Sequence, residues 1–226
     1  DVLVTAADAN LVGWFENQGG GTFGPVSPID GDATFAHHAV PADLNGDGVV
    51  DVLAALYGDD SVGWYEGLGG GLFGSLQPIT MNADGVIQAE AADLDLDGDL
   101  DVVAASQLGD RLTWFENLGG GSFAEGVVLI SALDRIMSFD IADLNVDGSL
   151  DILFCTFSDD QIRWLPNRFR HLGTAYCAPA VNSTGVPGRM QARYSAVSTS
   201  WLWTKGSSCC RAALGGINSG IATSIR

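Results

Sequence analysis

Apolar residues in this chain come in short runs, each closed off by Asp, Gly or Asn. The runs Asp51-Val52-Leu53-Ala54-Ala55-Leu56, Asp101-Val102-Val103-Ala104-Ala105-Ser106 and Asp151-Ile152-Leu153-Phe154-Cys155-Thr156 are too short for helices and carry β-branched residues. Each is read as a strand. In a second set of runs, Val12, Val62, Leu112 and Ile162 share a face with Trp14, Trp64, Trp114 and Trp164, while Phe15, Tyr65, Phe115 and Leu165 take the other. A strand that is apolar on both faces suits a position between two layers.

The runs superpose by subtraction, Asp51 on Asp101 on Asp151, which sets a period of 50 residues without slippage. Glu16, Glu66 and Glu116 fall on one another, as do the triple glycines beginning at Gly19, Gly69 and Gly119, and then Phe23, Phe73 and Phe123. One repeat reads as four short strands. In the third copy these run over 86–92, 101–106, 112–116 and 123–129. Polar turns such as Gly58-Asp59-Asp60, Gly109-Asp110 and Ser158-Asp159-Asp160 join the second and third strands, and the triple glycine turns the last hairpin. Four antiparallel strands per unit of this length are the signature of a β-propeller blade. The expected fold is all-β, a partial propeller. Residues 1–29 supply a blade lacking its first strand, 36–79 and 86–130 whole blades, and 136–166 a blade lacking its last. Such an arc leaves blade faces uncovered, so it is read as a fragment of a longer propeller or half of an assembly.

The loop between the first and second strands carries the candidate chemistry. Its copies are Asp43-Leu44-Asn45-Gly46-Asp47-Gly48-Val49-Val50-Asp51, Asp93-Leu94-Asp95-Leu96-Asp97-Gly98-Asp99-Leu100-Asp101 and Asp143-Leu144-Asn145-Val146-Asp147-Gly148-Ser149-Leu150-Asp151. Oxygen side chains at positions one, three, five and nine, a turn glycine at six and a backbone carbonyl at seven suit one hard cation. Calcium fits; with no His or Cys in any copy, the softer transition metals do not. The candidate ligands are therefore Asp43, Asn45, Asp47 and Asp51; Asp93, Asp95, Asp97 and Asp101; and Asp143, Asn145, Asp147 and Asp151. Val49, Asp99 and Ser149 add backbone oxygens, giving about three sites. The middle loop, richest in carboxylates, should bind tightest. An EF-hand is excluded, because position twelve is Ala54, Ala104 or Phe154 and strands, not helices, flank the loop. Asp1 aligns with position nine, the stump of a further copy.

Charge sharpens the division of the chain. All 28 acidic residues lie at or before Asp160, accompanied only by the basic Arg111, Arg135 and Arg163. So acidic a body repels nucleic acid and anionic lipid, and bound cations would relieve its self-repulsion. No apolar run approaches the length of a membrane span.

The run 92–105, followed by Trp114-Phe115-Glu116-Asn117 and Gly119-Gly120-Gly121-Ser122-Phe123, closely resembles the FG-GAP/VCBS repeats. These are calcium-loop propeller blades of integrin α-subunit heads and of many secreted or surface bacterial proteins. Phe23-Gly24 and Phe73-Gly74 match the motif that names them, and Phe123-Ala124 departs from it. The resemblance covers residues 1–167. It implies a calcium-binding module of an extracellular or cell-surface protein, used for adhesion to a protein or carbohydrate ligand or as a scaffold. Further blades of the parent chain or a homo-oligomer would complete it. The alternative is a non-catalytic fragment of a propeller-containing extracellular enzyme, a polysaccharide lyase or hydrolase.

Catalytic readings fare poorly. Gly19-x-Gly21-x-x-Gly24 and Gly69-x-Gly71-x-x-Gly74 satisfy a dinucleotide fingerprint on paper, but each is a hairpin with no following helix. His37 and His38, adjacent on a strand, should point to opposite sides and so share no metal. Glu66 and Glu116 are duplicates on successive blades, not a paired acid and nucleophile. No catalytic role is assigned.

Residues 168–226 form an exit linker and an irregular tail without a carboxylate. Cys155 replaces Ala55 and Ala105 and should be a buried free thiol. Cys177 has both Cys209 and Cys210 open to it as partners. After about Met190 neither period survives, and this stretch is read as sequence from a shifted reading frame.

Overall fold

The computed structural model describes residues 1–167; the linker and tail expected over 168–226, with the Cys177 pairing, lie outside the described residues. The described part is all-β. Its strands are β1 (Val2–Ala6), β2 (Leu11–Gly19) and β3 (Thr22–Asp30); β4 (Ala36–Ala42), β5 (Asp51–Leu56), β6 (Ser61–Gly69) and β7 (Leu72–Thr80); β8 (Val86–Ala92), β9 (Asp101–Ser106), β10 (Arg111–Phe115) and β11 (Val127–Ser131); then β12 (Ile136–Ala142), β13 (Asp151–Thr156) and β14 (Gln161–Leu165). They form four antiparallel sheets in chain order, β1-β2-β3, β4-β5-β6-β7, β8-β9-β10-β11 and β12-β13-β14. These are the two whole and two partial blades that the 50-residue register marks out.

The sheets stack through three cores, one per neighbouring pair. Val12 of the first blade meets Val52, Ala54, Leu56 and Tyr65 of the second. Leu53, Ala55, Val62 and Trp64 from the other face of the second meet Ala89, Val102, Ala104 and Phe115 of the third. Val103, Ala105, Leu112 and Trp114 of the third then meet Phe139, Ile152 and Phe154 of the fourth. Trp64 and Trp114 are thus buried interblade core. A Cβ at Gly71 would run into the Trp14 ring and one at Gly121 would sit 2.5 Å from the Trp64 ring, so the triple-glycine hairpins of the second and third blades lie against the preceding blade's tryptophan.

Polar turns tie each blade to the next. Asn10, Asp60 and Asp110 sit in the left-handed region between the second and third strands of their repeat units. Their side chains accept the backbone N–H of Phe35 at 3.0 Å, Gly85 at 2.8 Å and Arg135 at 3.2 Å, each at the entrance to the following sheet.

Three local readings are corrected. The last strand of the third blade begins at Val127, not 123; before it only the isolated bridge Asn117–Phe123 remains. Gly126 stands there where the second blade has Leu76, and a Cβ on it would lie 2.5 Å from the Phe115 ring, so the chain has no side chain with which to continue the packed ladder. His37 and His38 both reach β8, with Nδ1 atoms 2.9 Å from the Ile87 carbonyl and 3.1 Å from the Ala89 carbonyl. A register shift between Ala36 and His38 breaks the alternation that would have set them on opposite sides. Cys155 is a free thiol but only half-buried. Ala55 and Ala105 are covered by the blade that follows, whereas on the outer face of the fourth blade even Ile162 is 74% exposed.

Candidate metal centre

Each Asp-rich loop lies between the first two strands of a blade: 43–50 joins β4 to β5, 93–100 joins β8 to β9, and 143–150 joins β12 to β13. The loops turn through left-handed residues at position four (Gly46, Leu96, Val146) and position six (Gly48, Gly98, Gly148). Glycine is most strictly required at six, where all three copies have it at positive φ. Leu96 and the β-branched Val146 hold the same conformation at four under strain.

This winding points successive peptide N–H groups inward at the carboxylates. Asp43 accepts N–H bonds from Gly46, Asp47 and Gly48 at 2.9, 3.2 and 2.9 Å. Asp93 accepts from Asp97 and Gly98 at 3.2 and 3.1 Å, and Asp143 from Asp147 and Gly148 at 3.1 and 2.9 Å. Position five accepts from position seven: Asp47 from Val49 at 2.8 Å, Asp97 from Asp99 at 2.9 Å and Asp147 from Ser149 at 2.9 Å.

The loops differ at position three. Asn45 and Asn145 donate from Nδ2 to Asp47 and Asp147 at 3.1 and 2.9 Å, so an amide offsets the neighbouring charge. In the middle loop the residue is Asp95, which is buried, and oxygens of Asp93, Asp95 and Asp97 all lie within 4.8 Å of one another. Three carboxylates at that separation repel unless a cation lies among them.

Position nine is fully buried in each copy, at Asp51, Asp101 and Asp151. One oxygen accepts the N–H of the loop's own second residue: Leu44 at 2.9 Å, Leu94 at 3.2 Å and Leu144 at 3.2 Å. The other accepts an N–H from the third strand of the blade or just beyond it: Gly67 at 2.8 Å, Asn117 at 2.8 Å and Asn167 at 2.7 Å. Asp1 binds the Asn17 N–H in the same way at 2.8 Å. Burial pushes the Asp101 carboxyl up to about 7, against the lowering pull of its hydrogen bonds from Asn117, Trp114 and Leu94. Asp51 is raised for the same reason. Position nine therefore clamps the loop to the sheet whatever else it holds.

Sequence reasoning did not single out Asn117 and Asn167. The Asn117 carboxamide donates to the Leu44 carbonyl of the preceding blade's loop at 2.8 Å and to Leu100 at 3.0 Å, and Asn167 donates to Leu94 at 2.7 Å. Their recurrence at the same register as Asn17 was the available signal, and Gly67 in the second copy obscured it.

A family model described as an FG-GAP-like repeat matches the chain three times, over residues 1–54, 43–104 and 93–154. Among solved structures, one similar chain is a lectin from Agrocybe aegerita, described for its specific recognition of non-reducing terminal N-acetylglucosamine. The TM-score is 0.50 at 23% identity, over 70% of this chain and 44% of that one. The likeness is one of fold, and this chain spans less than half of that structure's length. No curated protein sequence matches. Three overlapping matches, which together span residues 1–154 in the 50-residue period, establish that the chain belongs to the FG-GAP-like repeat family.

Proposed function

We propose that this chain is a calcium-binding β-propeller module of a secreted or cell-surface protein, and that it works by binding rather than by catalysis. The observation that carries the reading is the gathering of the Asp93, Asp95 and Asp97 oxygens within 4.8 Å. The donor set is all oxygen, which suits a hard divalent ion and not a soft one. Asp93, Asp95, Asp97 and Asp101 with the Asp99 carbonyl would hold an ion in the middle loop. Asp43, Asn45, Asp47 and Asp51 with Val49, and Asp143, Asn145, Asp147 and Asp151 with Ser149, would do so in the outer two. The ion would supply charge neutralisation, and the chain's own N–H groups already fix the carboxylates that receive it. Residues 1–167 form the binding array, and 168–226 are assigned to a linker and tail outside it. Among the described residues no helix is long and apolar enough to cross a membrane.

The ligand class we assign is a carbohydrate or a protein presented outside the cell. The fold shared with the Agrocybe aegerita lectin supports testing carbohydrate first. Calorimetric titration of the chain with calcium chloride tests the metal reading. Uptake should accompany a rise in unfolding free energy of about 2.7 kcal/mol when free calcium reaches about 100 times the dissociation constant. Superimposable melting curves in calcium and in chelator would refute it. A glycan array probed in calcium and again in chelator then tests the ligand class.

A further inference from the structure

We propose that Asn117 and Asn167 are positioning residues that couple the Asp-rich loops of successive blades, so that an ion in one loop raises the affinity of the next. The inference rests on the calcium reading above and concerns how the sites act together.

The second residue of each loop lies between two ligand positions, as Leu94 lies between Asp93 and Asp95. The Leu94 peptide is held on both sides. Its N–H donates to Asp101 at 3.2 Å, and its carbonyl accepts from Asn167 Nδ2 at 2.7 Å. Leu44 is held likewise, by Asp51 at 2.9 Å and by Asn117 Nδ2 at 2.8 Å. The backbone N–H of each asparagine goes to the position-nine carboxylate of its own blade, Asn117 to Asp101 and Asn167 to Asp151. One continuous chain of hydrogen bonds results. It runs from Leu44 through Asn117, Asp101, Leu94, Asn167 and Asp151 to Leu144, and thus through all three loops. Leu44, Leu94, Asn117, Asp101 and Asp151 along it are buried, so water does not compete for these bonds.

The sign of the coupling follows. Without an ion, mutual repulsion of Asp93, Asp95 and Asp97 works against the hydrogen bonds that hold the loop and the Leu94 peptide. An ion there fixes that peptide, which fixes the Asn167 carboxamide and backbone, which fixes Asp151 and the Leu144 peptide between Asp143 and Asn145. The second ion then meets a loop already ordered, which is positive coupling through conformational entropy. Linkage makes it reciprocal. Direct repulsion between two neighbouring divalent ions would have the opposite sign.

The test follows calcium-dependent protection of the Leu44 and Leu144 amides by hydrogen exchange on the full chain, with calcium chloride as the probe. Disabling the middle loop with Asp95→Asn and Asp97→Asn should raise the calcium midpoints at Leu44 and Leu144 about fivefold or more. In an Asn117→Gly, Asn167→Gly background, which copies the residue the second repeat carries at Gly67, the same loop substitutions should leave those midpoints where they were. A shift of equal size in that background would assign the effect to lost charge and overturn the relay. Should the glycine variants fail to fold, the loop-disabled chain is measured in 1 M KCl, where screening acts within about 3 Å. A fivefold shift that persists there supports the relay, and one that vanishes overturns it. Unmoved midpoints on disabling the middle loop mean independent sites, which refutes the coupling and leaves calcium binding intact. Absence of any calcium-dependent protection would remove both.

Discussion

Asp101 accepts the backbone N–H of Asn117 at 2.8 Å, although the two lie on opposite sides of the hairpin formed by β9 and β10. Replacing Asp101 by Ala would leave that N–H and the Leu94 N–H buried without an acceptor, at about 1–3 kcal/mol each. We expect Asp101→Ala to lower unfolding free energy by about 3 kcal/mol in urea melts performed in chelator. Asp8→Ala, at an exposed turn, should stay within about 0.5 kcal/mol of the parent.

The same carboxyl sets a pH dependence. Its native value, raised by burial to about 7, exceeds the roughly 3.9 of an unfolded Asp, so the folded state holds the extra proton between the two. In chelator, stability should therefore be greatest below about pH 4 as far as this group is concerned, and should fall as pH rises through about 7. Asp101→Asn carries no titrating proton. The stability of the parent relative to the variant should fall steadily from about pH 4 to about 7 and level off above it; a pH-independent difference would contradict the burial argument.

Strain at position four gives a stabilising substitution. Val146 is 88% exposed with φ 59, a conformation that costs a β-branched residue about 1–2 kcal/mol. Part of that gain is offset by the greater freedom of glycine in the unfolded chain. Val146→Gly should raise the unfolding free energy by about 1 kcal/mol, read from the urea midpoint at unchanged slope.

Two adjacent glycines should respond differently to the same change. Gly120 and Gly121 both have positive φ, but a Cβ at 120 meets nothing, whereas one at 121 runs into the Trp64 ring. Gly120→Ala should cost about 1 kcal/mol through backbone strain alone. Gly121→Ala adds overpacking of about 1–3 kcal/mol, with a change in the near-ultraviolet signal of Trp64 as the accompanying readout.

Position three predicts opposite effects with and without metal. Asn45→Asp replaces the Asn45–Asp47 hydrogen bond by a carboxylate pair, copying Asp95 and Asp97. The chelated chain should lose about 0.5–1 kcal/mol, as for other exposed charge pairs. Calcium affinity should rise several-fold, checked by calorimetry on the same variant.

Much of this architecture was legible because a repeat multiplies its own evidence. The ends of β8 and β9 fall where the apolar runs begin and end, at Val86–Ala92 and Asp101–Ser106. The alternation of Trp114 with Phe115 correctly assigned them to two different cores. What escaped was whatever broke the period locally or acted far along the chain. The shift beside His38 overrode simple alternation, and Gly126 shortened a strand whose counterparts run longer. The bonds from Asn117 to Leu44 and from Asn167 to Leu94 each span 73 residues and join different blades. In sequence Asn117 looks like an ordinary turn residue ahead of a triple glycine, and Asn167 like the start of the stretch where the repeat ends. At the Asp-rich loop the order of oxygen-bearing side chains was readable, but the use of Asp101 as a buried clamp depends on Asn117, and only the fold brings that N–H to it.

The hooks at Asn10, Asp60 and Asp110 reach 25 residues forward, and the Asn117 and Asn167 carboxamides reach 73 back, always in the same register. Duplicating a window of 50 residues would hand each of these groups an equivalent partner from another copy. A gene encoding such a chain can therefore lengthen by whole units without remaking a single joint, and the number of blades is free to grow while the way they are fastened is not.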